Sequence, residues 1–266
     1  MIHGSTGTLR SRYDLDGFVT GVEIVSRPAA QSHRLAMEKA EAELGPLHYR
    51  SKIHTLLLSP LHLATSTAVL DIVESLIGPD ILLYNVTYVV KEPGANSHVS
   101  WHQDLTYWGL SHDDQVSMWL ALSPATVQSG CMRMVPGSHR EGRSHHDVTN
   151  DPSNVLLQGQ TVQGVDESRA VSCPLAPGQA SFHHGGTLHA SMPNQSADRR
   201  IGLNVQYLAP HVRQTKHALD TAVLVRGRDR YHHFAADIVA QSDLDPAAIA
   251  RHEELERKYR EIAGTA

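Results

Sequence analysis

Cysteine is almost absent from this chain: Cys131 and Cys173 are the only two, and neither has a second Cys or a His at zinc-finger spacing. That argues against a disulfide framework or a structural zinc site and leaves two buried or half-buried thiols as the reading. Basic charge is scarce too. Against 28 Asp plus Glu stand 23 Lys plus Arg, a formal charge of -5, so there is no cationic excess to neutralise phosphates and no nucleic-acid role is expected. No apolar run is long enough to span a bilayer, and Met1 to Thr6 lacks the charged and apolar regions of a signal peptide, so a cytoplasmic protein off the membrane is expected. No Gly/Ser linker or shift in composition divides the 266 residues, and one domain over 1–266 is the expectation.

Aromatics make up only 5% of the chain, yet Trp101, Tyr107 and Trp108 crowd one stretch, Ser100 to Trp108, with Trp119 close behind. Inside that stretch lie His102 and Asp104. Two apart on a strand, their side chains leave one face and converge on one cation, as two corners of the 2-His-1-carboxylate triad that holds Fe(II). With 19 His and 28 acidic residues in the chain, an H-x-D pair also arises by chance, and an aromatic cluster is as well explained by core as by a shielded pocket.

In chain order, the polar start leads to a first strand or cap at Asp16 to Val19. Ala29 to Leu44 reads as a helix closed by Gly45-Pro46, and about Pro60 to Ile77 as a second, closed by Gly78-Pro79. Together they form a helical buttress over about 28–78. From Ile81 the pattern turns to β, with strands at Ile81 to Val90, Val116 to Leu122, Cys131 to Val135 and Ile201 to Leu208, giving a β core over about 81–210. Ser129-Gly130 reads as a hairpin turn, and hairpins in series point to an antiparallel sandwich or barrel. Asn85, polar in an apolar strand, is either a satisfied sheet amide or a contact to a bound acid. Residues 141–169 read as loop, a lid or plain surface irregularity. A helix over about 246–262 is expected to pack on the outside.

Three ordered blocks carry a resemblance: Trp101-His102-Gln103-Asp104; Ser129 through His139; and His189-Ala190-Ser191 with Asn194 and Arg200 after it. Through these the chain resembles the phytanoyl-CoA dioxygenase family of Fe(II)- and 2-oxoglutarate-dependent oxygenases. The resemblance implies a double-stranded β-helix, the cupin-like jelly roll, mainly β with flanking helices. It also implies that His189, rather than the nearby His183 or His184, completes a triad with His102 and Asp104. Fe(II), 2-oxoglutarate and O2 are the implied cofactor and co-substrates. A carboxylate far from the iron needs a fixed cation, for which Arg200 is suited, with Ser191 as second donor; the adjacent Arg199 reads as a surface residue. Family members that halogenate lack the carboxylate at the position of Asp104, so its presence implies hydroxylation or a related oxidation.

Two other classes remain open on the residues alone: a zinc hydrolase built on His102, Asp104 and a later His, and a non-catalytic sandwich that binds a metal or small acid. For a small-molecule substrate, Tyr107, Trp108 and Trp119 suggest an aromatic wall, while Arg133, His139, Arg140 and Arg143 suit a phosphonate or carboxylate. A compact polar metabolite or natural-product intermediate is favoured over an acyl-CoA, because no basic cluster awaits the CoA phosphates. The sequence leaves the oligomeric state open.

Overall fold

A computed structural model of the chain describes residues 6–218 and 220–264. The order is α1 (Thr6–Asp16), β1 (Phe18–Glu23), α2 (Arg27–Leu44), α3 (Leu58–Ala64), α4 (Thr67–Ile77), β2 (Ile81–Lys91), β3 (Val99–His102), α5 (Leu105–Trp108) and β4 (Gln115–Ala121). Then follow β5 (Met132–Met134), β6 (Val171–Cys173), β7 (Gln179–His184), β8 (His189–Ser191), β9 (Arg200–Leu208), β10 (Thr221–Arg226), β11 (Ala235–Ala236) and α6 (Pro246–Gly264). The strands form two sheets, one ordered β1-β7-β4-β9-β2-β10-β11 and a smaller one ordered β3-β8-β5-β6. Every pairing is antiparallel except β10 with β11, and the two sheets form the jelly roll.

Helix α2 starts where Ser26 accepts a hydrogen bond from the Ala29 amide, and it stops at Gly45 with φ 77. The second expected helix is broken in two. Thr65 and Ser66 turn their hydroxyls back onto the carbonyls of Leu61 and Leu63, and Ser66 adopts an extended conformation before α4 begins. Helix α1 was not anticipated from its polar sequence. The helices cover the outer face of the large sheet, where Met37, Val69 and Val73 pack on Val86, Tyr88, Met118, Phe182, Leu203 and Val205. Covered on both faces, β2 is buried over its whole length, which explains its unbroken apolar reading.

The expected hairpin at Ser129-Gly130 is not one. Strand β4 lies in the large sheet between β7 and β9, and β5 in the small sheet between β8 and β6, so the chain crosses between sheets there. Gly130 turns at φ 73, and a Cβ would come within 2.1 Å of the Met192 carbonyl oxygen, so only glycine fits the crossing. Among the described residues no helix is long and apolar enough to cross a membrane.

Candidate metal and co-substrate site

Between the two sheets lies a cavity of about 300 Å³, and β9 forms one wall of it. Along β9 Ile201, Leu203, Val205 and Tyr207 face the helices, while Arg200, Asn204 and Gln206 face the cavity. Facing partners place the histidines: in the pairing of β3 with β8, His102 stands opposite His189, and their rings lie 4.0 Å apart. Asp104 is not on the strand as its spacing suggested. It lies past the end of β3 in right-handed helical conformation, at the start of α5, and this turn brings its carboxylate back beside both rings.

His102 Nε2 is 3.5 Å and His189 Nε2 3.7 Å from Asp104 Oδ1, and the potential ligand atoms of the three lie within 4.8 Å of one another. Each ring is tethered from behind. Nδ1 of His102 is 2.9 Å from the Ser100 carbonyl oxygen, and Nδ1 of His189 is 2.9 Å from that of Thr187. A carbonyl only accepts, so Nδ1 carries the proton and the Nε2 lone pair faces the common point. Burial, with the neighbouring His102 adding to it, pushes His189 well below its ordinary range, which keeps it neutral. Burial works to raise the Asp104 carboxyl, but the surrounding histidines, His189 foremost and then His102 and His183, outweigh it and hold the group well below the usual carboxylate range. Asp104 Oδ2 accepts from Ser117 Oγ at 2.9 Å and lies 3.3 Å from His183 Nε2, which leaves Oδ1 to face the histidines. Two imidazole nitrogens and one carboxylate oxygen are a donor set that fits a ferrous ion.

Further along the cavity sits Arg200, 1% exposed, with its guanidinium 4.4 Å above the Trp119 ring. Its Nε and Nη1 have no hydrogen-bond partner among the described residues, and burial pushes its pKa down to about 10. A buried cation with unmet donors calls for an anion. Gly202, two residues on, leaves room for the indole: a Cβ there would meet Trp119 at 1.9 Å and drive it from beneath the guanidinium.

The sequence profile of the phytanoyl-CoA dioxygenase family matches residues 23–202, a span that takes in the triad, Ser191 and Arg200. The chain belongs to the phytanoyl-CoA dioxygenase family. Among individual relatives, a "Probable alpha-ketoglutarate-dependent hypophosphite dioxygenase" of Stutzerimonas stutzeri is 28% identical over 149 residues, 55% of this chain and 52% of that protein. The peroxisomal phytanoyl-CoA dioxygenase of Homo sapiens is 26% identical over 148 residues, 54% of this chain and 44% of its own length. The chain thus spans about half the length of the curated relatives it matches. Over nearly the whole fold it is similar to the apo form of a non-heme monooxygenase, ThoJ, with 30% identity, a TM-score of 0.82 and coverage of 95% of this chain and 99% of that one.

Within this family member, several residues singled out from sequence stand elsewhere than expected. Tyr107 and Trp108 line the cavity. Trp119 also lines it, but as the platform beneath Arg200 rather than as part of a substrate wall. Arg133 is drawn outward by Glu167 at 2.6 Å and stacks on Trp101, off the cavity wall. His139 packs against His184 and Gly17, also away from the cavity, and Arg143 pairs with Asp113. Asn85 does not line the cavity, because its Oδ1 accepts from the Lys52 amide at 2.7 Å. Arg199 pairs with Glu92 at 2.7 Å and Glu41 at 2.8 Å on the face opposite Arg200.

Residues 141–169 are stitched to the sheets rather than loose. Asn154 binds Ser100, His146 accepts from the Gln103 amide, and Val155 and Leu156 form part of the cavity wall. Helix α6 likewise does more than cover the outside, since Tyr259 and Arg260 reach the cavity. Reasoning from sequence weighed His183 only as an alternative ligand and missed its contact with Asp104, and it missed Lys91, which stands opposite Arg200 at the end of β2. Lys91 is 1% exposed, and its Nζ donates to Ser191 Oγ at 2.7 Å, Ser191 O at 3.0 Å and Met192 O at 2.5 Å. Burial, then Arg200, push its pKa down to about 6, while three oxygen acceptors around one amine work in the opposite direction.

Proposed function

We propose that this chain is an Fe(II)- and 2-oxoglutarate-dependent dioxygenase that hydroxylates, or otherwise oxidises, an unactivated C–H bond of a small polar metabolite or natural-product intermediate, releasing succinate and CO2. One observation carries the reading: a buried guanidinium with unmet donors shares a cavity with two histidines and a carboxylate that converge on one point. A zinc hydrolase or a simple metal sensor has no use for that cation.

His102, Asp104 and His189 hold the iron. The iron, when bound, supplies the chemistry that couples oxidative decarboxylation of 2-oxoglutarate by O2 to oxidation of the substrate. The chain supplies the rest. Nδ1 tethers keep both imidazoles aimed, and Ser117 with His183 fixes the carboxylate through its other oxygen. Arg200 receives the far carboxylate of the co-substrate, and its place on Trp119 fixes the plane of the fork. Ser191 is the second donor to that carboxylate. Because Lys91 occupies a lone pair of Ser191 Oγ, the hydroxyl proton is free to turn toward the cavity. Lys91→Met is therefore expected to raise the 2-oxoglutarate KM by about tenfold while kcat and Fe(II) affinity change little, the loss expected for one charge-assisted hydrogen bond. Steady-state kinetics with succinate as readout checks this, and an equal fall in kcat would mean that Lys91 only supports the fold.

The reading itself is tested by anaerobic titration of the protein with Fe(II) and 2-oxoglutarate. A weak visible charge-transfer band, followed by succinate when oxygen is admitted, is the expected result. Iron binding with neither band nor succinate would overturn it in favour of a hydrolase or sensor. Two free, buried cysteines that flank each other's strands support a reducing setting, and the cytoplasm is the compartment we propose.

A further inference from the structure

Beyond the triad from Arg200, the cavity changes character. Gln206, six residues along β9 from Arg200, stands opposite Ser117, whose hydroxyl holds Asp104. Toward it two phenols arrive from separate parts of the chain. Tyr107 comes from α5, edge-on to His102, and its hydroxyl is buried without a partner. Tyr259 comes from α6, and its hydroxyl donates to Gln206 Oε1 at 3.4 Å beside the Trp108 indole and the Asn85 amide. Tyr49, from the segment before α3, also lines the cavity but on the Arg200 side, and its backbone is held at φ 56, a conformation unfavourable for a bulky side chain. Its amide donates to the Tyr88 carbonyl, and the strained turn delivers the ring to the cavity wall.

Resting on the oxygenase reading, we infer that this end of the cavity seats an uncharged ring compound bearing hydroxyl or carbonyl oxygens, gripped by Tyr107, Gln206 and Tyr259 against Trp108.

Charge decides against the alternatives. Apart from the histidines, the ionisable cavity residues besides the phenols are Arg200, Asp104 and Arg260. The first two belong to the co-substrate and the iron. Arg260 is 66% exposed and shares Glu256 with Arg50, so at this end no buried, unpaired cation awaits a substrate carboxylate or phosphate and no free carboxylate awaits an amine. A phenol is a neutral hydroxyl at about pH 7: that of Tyr107, without a partner among the described residues, can both donate and accept, and Gln206 adds an amide with both functions. Such hydroxyls match neutral oxygens, and the Trp108 and Tyr107 faces match a flat ring. A cavity of about 300 Å³, shared with the co-substrate, admits few rings and no coenzyme A.

The test uses three probes of similar bulk: 2-naphthol, 2-naphthoate and benzyltrimethylammonium. Each is titrated calorimetrically into protein loaded with Fe(II) and 2-oxoglutarate under argon. The expected order is 2-naphthol tighter than either ion by about tenfold or more. Tyr107→Phe, Tyr259→Phe and Gln206→Leu keep the packing and are each expected to weaken 2-naphthol by about fivefold while leaving 2-oxoglutarate affinity within about twofold. Naphthoate or the ammonium binding as well as naphthol, no naphthol binding to loaded protein, or indifference to all three substitutions would overturn the inference. Each of those outcomes leaves the oxygenase reading standing, because 2-oxoglutarate still binds. Failure to take up iron and 2-oxoglutarate at all would remove that reading, and this one with it.

Discussion

Exchange of His189 for alanine is expected to cut Fe(II)-dependent succinate formation by about a thousandfold or more, since loss of a mere outer partner of a metal ligand already costs roughly 10- to 100-fold. The reason is geometric. His102 and His189 face each other across β3 and β8, and Asp104 Oδ1 closes the third corner, so no other imidazole occupies the vacated position. His183 is nearest, but its Nε2 lies on Asp104 Oδ2, the oxygen turned away from His189. The fold is expected to survive, because the backbone of β8 stays paired with β3 and β5, and circular dichroism should match the parent. Substitution of His183 tests the distinction: it should weaken iron by about 10- to 100-fold without abolishing turnover. If His189→Ala kept its activity and His183→Ala lost it, the ligand assignment would be reversed.

The second large effect concerns Arg200 and runs in two directions at once. Arg200→Met should raise the Kd for 2-oxoglutarate by roughly 100-fold or more, the loss expected when a buried charge pair is truncated. Yet the same change should stabilise the free protein, by about 1–2 kcal/mol, because it removes a buried cation with unmet donors and keeps an apolar chain of similar length on Trp119. A higher melting temperature without co-substrate, together with weaker co-substrate binding by calorimetry, is the expected pair of results. Arg199→Ala, which breaks only partly exposed ion pairs, should leave co-substrate affinity within about twofold. A lower melting temperature in Arg200→Met would mean that Arg200 supports the fold rather than the ligand.

Much of this site was legible because its residues sit in short contiguous blocks. His102 and Asp104 share one, and His189 and Ser191 another, and β9 shows its facing in the alternation of Arg200, Asn204 and Gln206 with Ile201, Leu203 and Val205. What the sequence concealed was set by partners far along the chain. Lys91 reads as the solvated end of an apolar strand, and only carbonyls about a hundred residues away bury it. Tyr259 lies on the apolar side of an amphipathic helix, and periodicity tells which side is apolar but not what it covers. The break between α3 and α4 depends on two hydroxyls choosing backbone acceptors, a contest that helical spacing does not register. The four-residue α5 is too short for any period, so Asp104 was read as strand although the turn is what aims it.

Strand β9 also works as a ruler. Its cavity face carries the cation proposed for the co-substrate, Arg200, and the amide of Gln206, about 20 Å apart along a strand that rises roughly 3.3 Å per residue. Hydrogen bonds to β2 and β4 on either side hold that length fixed. On the proposed reading, regiochemistry is a matter of register: the carbon that meets the oxidant is the one whose distance from the gripped oxygen equals the distance from position 206 to the iron. Shifting the grip inward to position 204 would move that point by about 6.6 Å along the substrate, two residues of strand, without altering a single ligand of the metal.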